Sequence, residues 1–408
     1  MSQLQHSITL PQGTGLLVTA MLGTGVFILP QLTSSSAGMS ALMAWGLLIL
    51  AMLPVTWIFA ELGKHYPHAG GPSHVVRLAF GNTQGRVVGL MFLLVVPVGA
   101  PAAIEMTMQF VHALIPLNRG QTLVVELVFI GSLVALNWRG VQTSGRIQSV
   151  LTVAILLVVV AMLLSRGGTT EATPPAGNAS LMMAAMGLAF WSFMGIETMS
   201  HLSAEFKNPK RDFGRALMLG VVIVGLIYLA CTWLILTSGT GANSLAMVNI
   251  FDQHFGGGGK WVIGLLGIFS GAATVNVYIA SVARLAYSLA DQNALPGYLK
   301  KLNRHQVPGN GLITICAFIA LILLVSTALN LPYEELIRWA NGVFVLIYLA
   351  SMMAAWRLLR NPWALVGATV CLFLAIALAE GMAYAVLLWF FLLVFYTVLT
   401  RRWLPRPS

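Results

Sequence analysis

Two short stretches hold the residue types from which a small-molecule site can be made. One is Gly23-Thr24-Gly25, followed by Val26 and Phe27; the other is Trp191-Ser192-Phe193-Met194-Gly195-Ile196-Glu197. Each lies inside a long apolar run. Glycine loosens a helix, and an unwound turn frees N–H groups on one side and C=O groups on the other. Freed N–H groups at a half-helix N-terminus attract a carboxylate, while freed C=O groups at a half-helix C-terminus accept from an ammonium. That combination suits a zwitterion. The same glycines equally fit a packing role, because small residues let membrane helices approach closely.

The elements that must position these stretches follow from composition. Hydrophobic residues make up 58% of the 408 positions and charged residues 8%, against about 25% charged in an ordinary soluble domain. The apolar residues come in runs of roughly 20, the length that crosses a ~30 Å hydrocarbon core. The spacing predicts an all-α polytopic membrane protein with twelve spans: 12–33, 39–62, 87–112, 121–138, 147–165, 180–201, 213–237, 261–290, 311–329, 335–356, 363–379 and 382–400. The first run lacks the flanks of a removable signal peptide. With both termini in the cytoplasm, 18 of the 22 Lys and Arg fall inside, leaving only Arg119, Arg166, Lys260 and Arg338 outside. The positive-inside rule selects this orientation. The net charge of +10 is then a matter of topology, and no nucleic-acid partner is expected. The loops are short, so residues 1–408 read as a single membrane domain in contact with lipid. Cys231, Cys316 and Cys371 are far apart within apolar runs, so neither a disulfide nor a metal site is expected.

In hydrocarbon, unwound backbone survives only where it lines a protein cavity. The two glycine-containing breaks fall in spans one and six, five spans apart. Paired interruptions at matching places point to a binding site between two repeats. The first repeat would be 12–165 and the second 180–356, with 363–400 supplying two appended helices.

Gly23-Thr24-Gly25-Val26-Phe27 resembles the first-helix motif of the amino acid–polyamine–organocation (APC) transporters. Glu61-Leu62-Gly63 with Pro67, Ala69, Gly70 and Gly71 resembles the end of that family's second helix. Phe193-Met194-Gly195-Ile196-Glu197, then Ala204-Glu205-Phe206-Lys207-Asn208-Pro209, resembles its sixth helix and inner exit. Ala283-Arg284 with Asp291, Leu295 and Pro296 resembles the end of its eighth. The resemblance spans nearly the whole chain and is strongest to the amino-acid efflux branch, which includes a methionine and branched-chain amino-acid exporter. It implies a LeuT-like five-plus-five inverted repeat with broken helices one and six. It also implies that Thr24 and Gly25 meet the substrate carboxylate, and that backbone carbonyls of Met21, Trp191 and Met194 receive the ammonium. Gly195 opens the second break. The fifth-helix lysine of some proton-coupled relatives is absent here.

Phe27, Phe190, Phe193 and Met194 predict an apolar pocket, with Trp191 either closing over a ligand or packing in the bundle. Asn341 and Gly342 are candidates to contact the substrate side chain, and Pro97 and Pro101 mark a kink facing the pocket. Glu105 and Glu197 are read as the only acidic side chains near mid-membrane, which disfavours a cationic substrate. A charge there costs ~3 kcal/mol on insertion scales, so both are functional candidates. Glu197 is expected to bridge the break or to carry a proton. Glu105 is expected to be a proton site, a pocket wall, or the partner of Asn341 or Arg338. His201 lies one turn beyond Glu197 and pairs with it if helicity resumes; a lone satisfied histidine is the plainer reading. His65, His68 and His74 read as interfacial. Glu205, with Lys207, Lys210, Arg211, Asp212 and Arg215, forms a charged inner loop suited to a gate with Arg77 or Arg284.

These readings converge on a secondary transporter of neutral amino acids in the bacterial inner membrane, working without cofactor as a monomer or homodimer. Export follows from the resemblance alone; import or exchange on the same fold is the alternative. No GxxxxGK[ST] loop for ATP, no HExxH protease motif and no repeating carbonyl or charge ring of a channel occurs. Ser270, Thr274 and Asn276 offer oxygens to sodium, yet proton antiport or facilitated exchange is the expected coupling. Gly25→Leu is expected to fill the carboxylate space while leaving the fold intact.

Overall fold

The structure, a computed structural model, describes residues 8–68, 70–140, 145–165, 178–200, 203, 206–238 and 245–403. His201 and Glu205 lie outside the described residues. Regular structure among those residues is helical, apart from one isolated bridge between Ile8 and Phe206.

The first apolar run forms α1 (Leu10–Leu22) and α2 (Leu29–Ala37), and α3 (Ser40–His65) returns beside them. A short α4 (Gly71–Phe80) precedes the long α5 (Asn82–Leu114), followed by α6 (Arg119–Trp138) and α7 (Gly145–Leu164). Next, α8 (Ala179–Ala189) passes through a 3₁₀ turn (Phe190–Phe193) and a break into α9 (Ile196–Ser200). The chain continues as α10 (Gly214–Thr237), α11 (Ala246–Phe255), α12 (Gly259–Asp291), α13 (Gly309–Leu329) and α14 (Tyr333–Leu359). It closes with α15 (Trp363–Ala377) and α16 (Ala379–Trp403), with a bend of 115° between the two. Among the described residues, eight helices are long and apolar enough to cross a membrane, or nine if the bent pair is one span.

The bundle is apolar on its outside as well as its inside. Leu164 is 81% exposed, Ile376 71% and Leu387 69%, which only a lipid surround makes tolerable. On α6 the protein-facing stripe is narrow: Glu126, Ile130, Leu133 and Asn137 are buried at helical spacing, and Asn137 Nδ2 donates to Asn276 Oδ1 at 2.5 Å. The post of the bundle is α5, packed along α12 and crossed by α14. It stays helical through Pro97 and Pro101. Pro97 faces a separate apolar cavity beside α13 and α16.

Gly342 packs against another helix and does not line the cavity at the breaks. A Cβ there would strike the Gly381 carbonyl, and one on Gly381 would strike the Arg338 carbonyl, so α14 and α16 cross backbone to backbone. Asn341 is fully buried, and its Nδ2 donates to Gly187 O at 2.8 Å. Arg338 bonds Glu335 at 2.6 Å, so neither residue partners Glu105.

At the end expected to face the cytoplasm, the His68 and His74 rings stack at 3.8 Å, nearly parallel. Arg77 Nη2 lies 3.0 Å from His74 Nδ1. Burial first, then the charges of His68 and Arg77, push His74 down to about 4. Burial and Arg77 also lower His68. A ring held neutral in the fold stabilises it above the ordinary value of 6.5 and loses that contribution as pH falls toward about 4. The melting temperature of the purified protein is expected to drop across that window. His74→Phe, which keeps the stack, is expected to flatten the drop; an unchanged acid limb in that variant would remove the assignment.

Candidate functional site

Both interruptions are present and they face each other. The first chain break leaves α1 at Gly23, whose φ of 28° and ψ of −122° no L side chain adopts readily, and where a Cβ would collide with the Thr274 side chain. The second leaves Met194 extended and Gly195 at φ 123°. A Cβ on Gly195 would lie 3.3 Å from Met21 Cγ, so the two breaks are in contact.

Side chains from neighbouring helices satisfy most of the freed backbone. Tyr228 OH of α10 lies 3.3 Å from both Met21 O and Leu22 O, and its ring stacks on Trp45 at 4.5 Å. Ser270 Oγ of α12 donates to Gly23 O at 2.7 Å. Thr274 Oγ1, one turn on, donates to Thr19 O at 3.1 Å. Thr19 in turn ties α1 to α7 through Gln148 O at 2.8 Å and Thr152 Oγ1 at 2.7 Å.

At the second break the same task falls to Glu197, which is fully buried. The Gly195 N–H donates to both carboxylate oxygens, at 3.1 and 3.0 Å. Thr198 Oγ1 and Tyr278 OH each donate to Oε1 at 3.2 Å, and Tyr348 OH donates to Oε2. An ionised carboxylate only accepts, so a set made wholly of donors suits the charged form. The carboxylate binds the break to α12 and α14.

A cavity of ≈ 50 Å³ open to water centres lies against the breaks, room for about three to five waters. Its walls are Ala20, Met21 and Thr24 of the first break, Trp191 and Met194 of the second, and Thr274, Val275 and Tyr278 of α12. The remaining walls are Val95, Val96, Gly99, Ala100 and Ala103 of α5 and Phe344 of α14. No Asp, Glu, Lys, Arg or His is among them. Neither the Thr24 N–H nor its hydroxyl bonds any described residue, and the Met194 carbonyl accepts from none. Trp191 lies across from Gly99, with Cη2 3.4 Å from the position a Cβ would take there.

Of the residues singled out in the sequence, Met21, Thr24, Trp191 and Met194 meet at this cavity, and Gly195 adjoins it through Met21. Val26 and Phe27 are fully buried away from its wall, with Phe27 edge-on to Phe110 at 6.3 Å. Phe190 packs on Tyr348 instead. A Cβ on Gly25 would lie 2.6 Å from Leu29 Cδ1 and 2.9 Å from Tyr228 OH. The Gly25 N–H also already donates to Leu22 O at 3.0 Å, which leaves Thr24 as the freer donor. The α5 wall was not legible in advance: small residues in an apolar helix offer no contrast with their neighbours. Tyr278 was missed as well, though a hydroxyl one turn from Thr274 is a usable signal. Glu126 was overlooked as a buried acid; it is only 4% exposed, on the inward stripe of α6.

The fold and the uncharged cavity define a membrane-embedded carrier of small solutes. Residues 8–403 match the family model described as Amino acid permease. The chain belongs to this family of amino-acid transporters. It is 38% identical over 400 residues to the L-methionine/branched-chain amino acid exporter YjeH of Escherichia coli K12, with 95% of each chain covered. It is 29% identical over 388 residues to the uncharacterized amino acid permease YecA of Bacillus subtilis, with 90% of each covered. It is 24% identical over 375 residues to an arginine/ornithine antiporter of Pseudomonas aeruginosa, covering 85% of this chain and 77% of that one.

Glu197→Gln is expected to place an amide NH₂ against donors and to cost about 1–3 kcal/mol. A lower melting temperature with an unshifted pH–transport profile is the expected result; a shifted profile at full stability would instead make Glu197 a proton carrier. Gly25→Leu is now expected to drive its side chain into Leu29 and Tyr228 and to lower folded yield in detergent. Normal yield with transport blocked would restore the simpler space-filling account.

Proposed function

We propose that this protein is a secondary transporter that exports neutral, apolar amino acids, methionine and the branched-chain residues among them, across the bacterial inner membrane. The observation that carries the reading is the cavity at the two breaks: a Thr24 N–H and hydroxyl that bond no described residue on one side, a Met194 carbonyl that accepts from none on another, and apolar walls without a charged residue. The substrate carboxylate would meet Thr24 at the positive end of α2. The ammonium would meet carbonyls of Met21, Trp191 and Met194, at the negative ends of α1 and α8. The side chain would lie against Val95, Val96, Gly99, Ala103 and Phe344. Export and substrate choice are supported by the similarity to the methionine and branched-chain exporter.

Alternating access would rock the elements carrying the breaks about this cavity. The reading includes twelve crossings, with α1 to α7 and α8 to α14 as the two repeats and both termini cytoplasmic. The 18 inside cations of 22 support that orientation. A monomer holds all the proposed contacts, and a homodimer is compatible with them. Sodium is a poor fit as coupling ion: the Ser270 and Thr274 hydroxyls already donate to the α1 carbonyls a cation would use, and Asn276 is engaged with Asn137.

The test is counterflow in proteoliposomes loaded with unlabelled methionine or leucine, with labelled substrate added outside. Accumulation driven by the internal pool is expected. Its absence for every neutral amino acid, in folded protein, would move the substrate elsewhere. Gly99→Val narrows the cavity at Trp191 and is expected to lower methionine transport about tenfold, with a smaller loss for alanine. Equal losses for both substrates would take Gly99 out of the side-chain pocket.

A further inference from the structure

A second polar cavity, of ≈ 470 Å³, lies between α5, α6 and α13. Glu105, Gln109 and His112 of α5 line it, with Arg119, Thr122 and Glu126 of α6 and Ser326, Thr327 and Asn330 of α13. It is not an extension of the substrate site. On α5 the substrate cavity takes Val95, Val96, Gly99, Ala100 and Ala103, while the second takes Glu105, Met108, Gln109 and His112. At 3.6 residues per turn these stripes lie on opposite faces of one helix, their centres nearly three turns (about 15 Å) apart along it.

Two carboxylates deep in spanning helices need a reason to be there. Glu105 stands nine residues before the end of α5, and Glu126 seven residues after the start of α6, so both are about 10–14 Å below that hairpin. Glu126 is 4% exposed, lines the cavity and makes no hydrogen bond with any described residue. Neither carboxylate is ion-paired with a described cation. They are near enough for the Glu105 charge to act on Glu126. An acceptor-only anion that is buried beside a second anion, without a donor, is incomplete until something positive joins it.

We propose that Glu105 and Glu126 together hold one exchangeable proton, taken from the side opposite the cytoplasm, and that this is the coupling proton of amino-acid antiport. This rests on the transport reading above. A proton arriving from water neutralises one carboxylate, so the pair carries one negative charge instead of two; its departure restores the original state. The charged and titratable neighbours are few. His112 is on α5 itself, and its Nε2 is 2.9 Å from Thr122 Oγ1. Arg119 is on α6. From α14, Tyr333 and Glu334 face Glu105, with Glu335 tied to Arg338. The α13 residues at the cavity are uncharged. Against this half of α5, α12 presents Gly264, Gly267 and Gly271. On α4, His74 and Arg77 belong to the far end, and Tyr384 of α16 lines the other α5 cavity. Because α5 walls both sites, a proton-dependent shift of that helix reaches the substrate.

The experiment uses the full-length protein in proteoliposomes containing a trapped pH-sensitive dye. Methionine counterflow, methionine-driven proton movement and accumulation under an imposed pH gradient are measured on the same vesicles. The wild type is expected to accumulate substrate about tenfold per pH unit at one proton per substrate. Glu126→Gln and Glu105→Gln are expected to keep counterflow within about twofold while losing proton movement and the response to the gradient. Retained counterflow certifies the fold of each variant. Wild-type counterflow that ignores the pH gradient, or follows a sodium gradient, would overturn this inference and leave the transport reading standing. Loss of counterflow in both variants would also overturn it, because the carboxylates would then serve structure. No counterflow in the wild type would instead sink the transport reading.

Discussion

Hydrocarbon offers a backbone N–H or C=O no partner, so every break in a spanning helix must be completed by the protein or by a ligand. The organisation around α1 and α8 follows from this. Five hydroxyls and one carboxylate do the completing. Tyr228, Ser270 and Thr274 serve carbonyls at the end of α1. Tyr348 and Tyr278 serve Glu197, which in turn holds the Gly195 N–H. These side chains come from α10, α12 and α14, so the need to complete the breaks also selects which helices surround the site.

Glu197 is of a different kind from the hydroxyls. A buried carboxylate is tolerable only with its lone pairs filled. Here backbone, threonine and two tyrosines fill them. It therefore fixes the second break to two helices at once. At the first break the carbonyls receive only neutral hydrogen bonds, about half the strength of charge-assisted ones. The asymmetry makes the α8–α9 break the rigid partner and the α1–α2 break the more easily rearranged one.

How much of this could be read in advance depended on contrast. Gly23-Thr24-Gly25 stands out because glycine interrupts an otherwise regular apolar run, and Glu197 stands out because a charge in such a run is expensive. Both breaks were legible for those reasons. The α5 wall was not: Val95, Gly99 and Ala103 differ from their neighbours only by the direction they face, and in a helix apolar on every side no periodicity reveals it. Asn341 and Gly342 looked functional because polar and small residues are rare in such segments. They instead satisfy Gly187 O and allow α14 to touch α16. Glu126 was passed over because it lies near the start of its span; whether it faces lipid, water or protein is a tertiary fact.

The unfilled groups at the breaks give the completing principle a functional edge. The Thr24 N–H and hydroxyl and the Met194 carbonyl bond no described residue. A zwitterion would supply what they lack, an acceptor at Thr24 and a donor at Met194, and an apolar side chain would meet the α5 face. A substrate of this kind does for the breaks what Tyr228 and Glu197 do from the other side. A ligand that completes both breaks binds best when they are closed around it, and this differential affinity is the condition for a ligand to shift a conformational equilibrium. On this argument the transport cycle is built into the unsatisfied backbone. Leaving Thr24 without a partner among the described residues is a requirement that a fully hydrogen-bonded bundle could not meet.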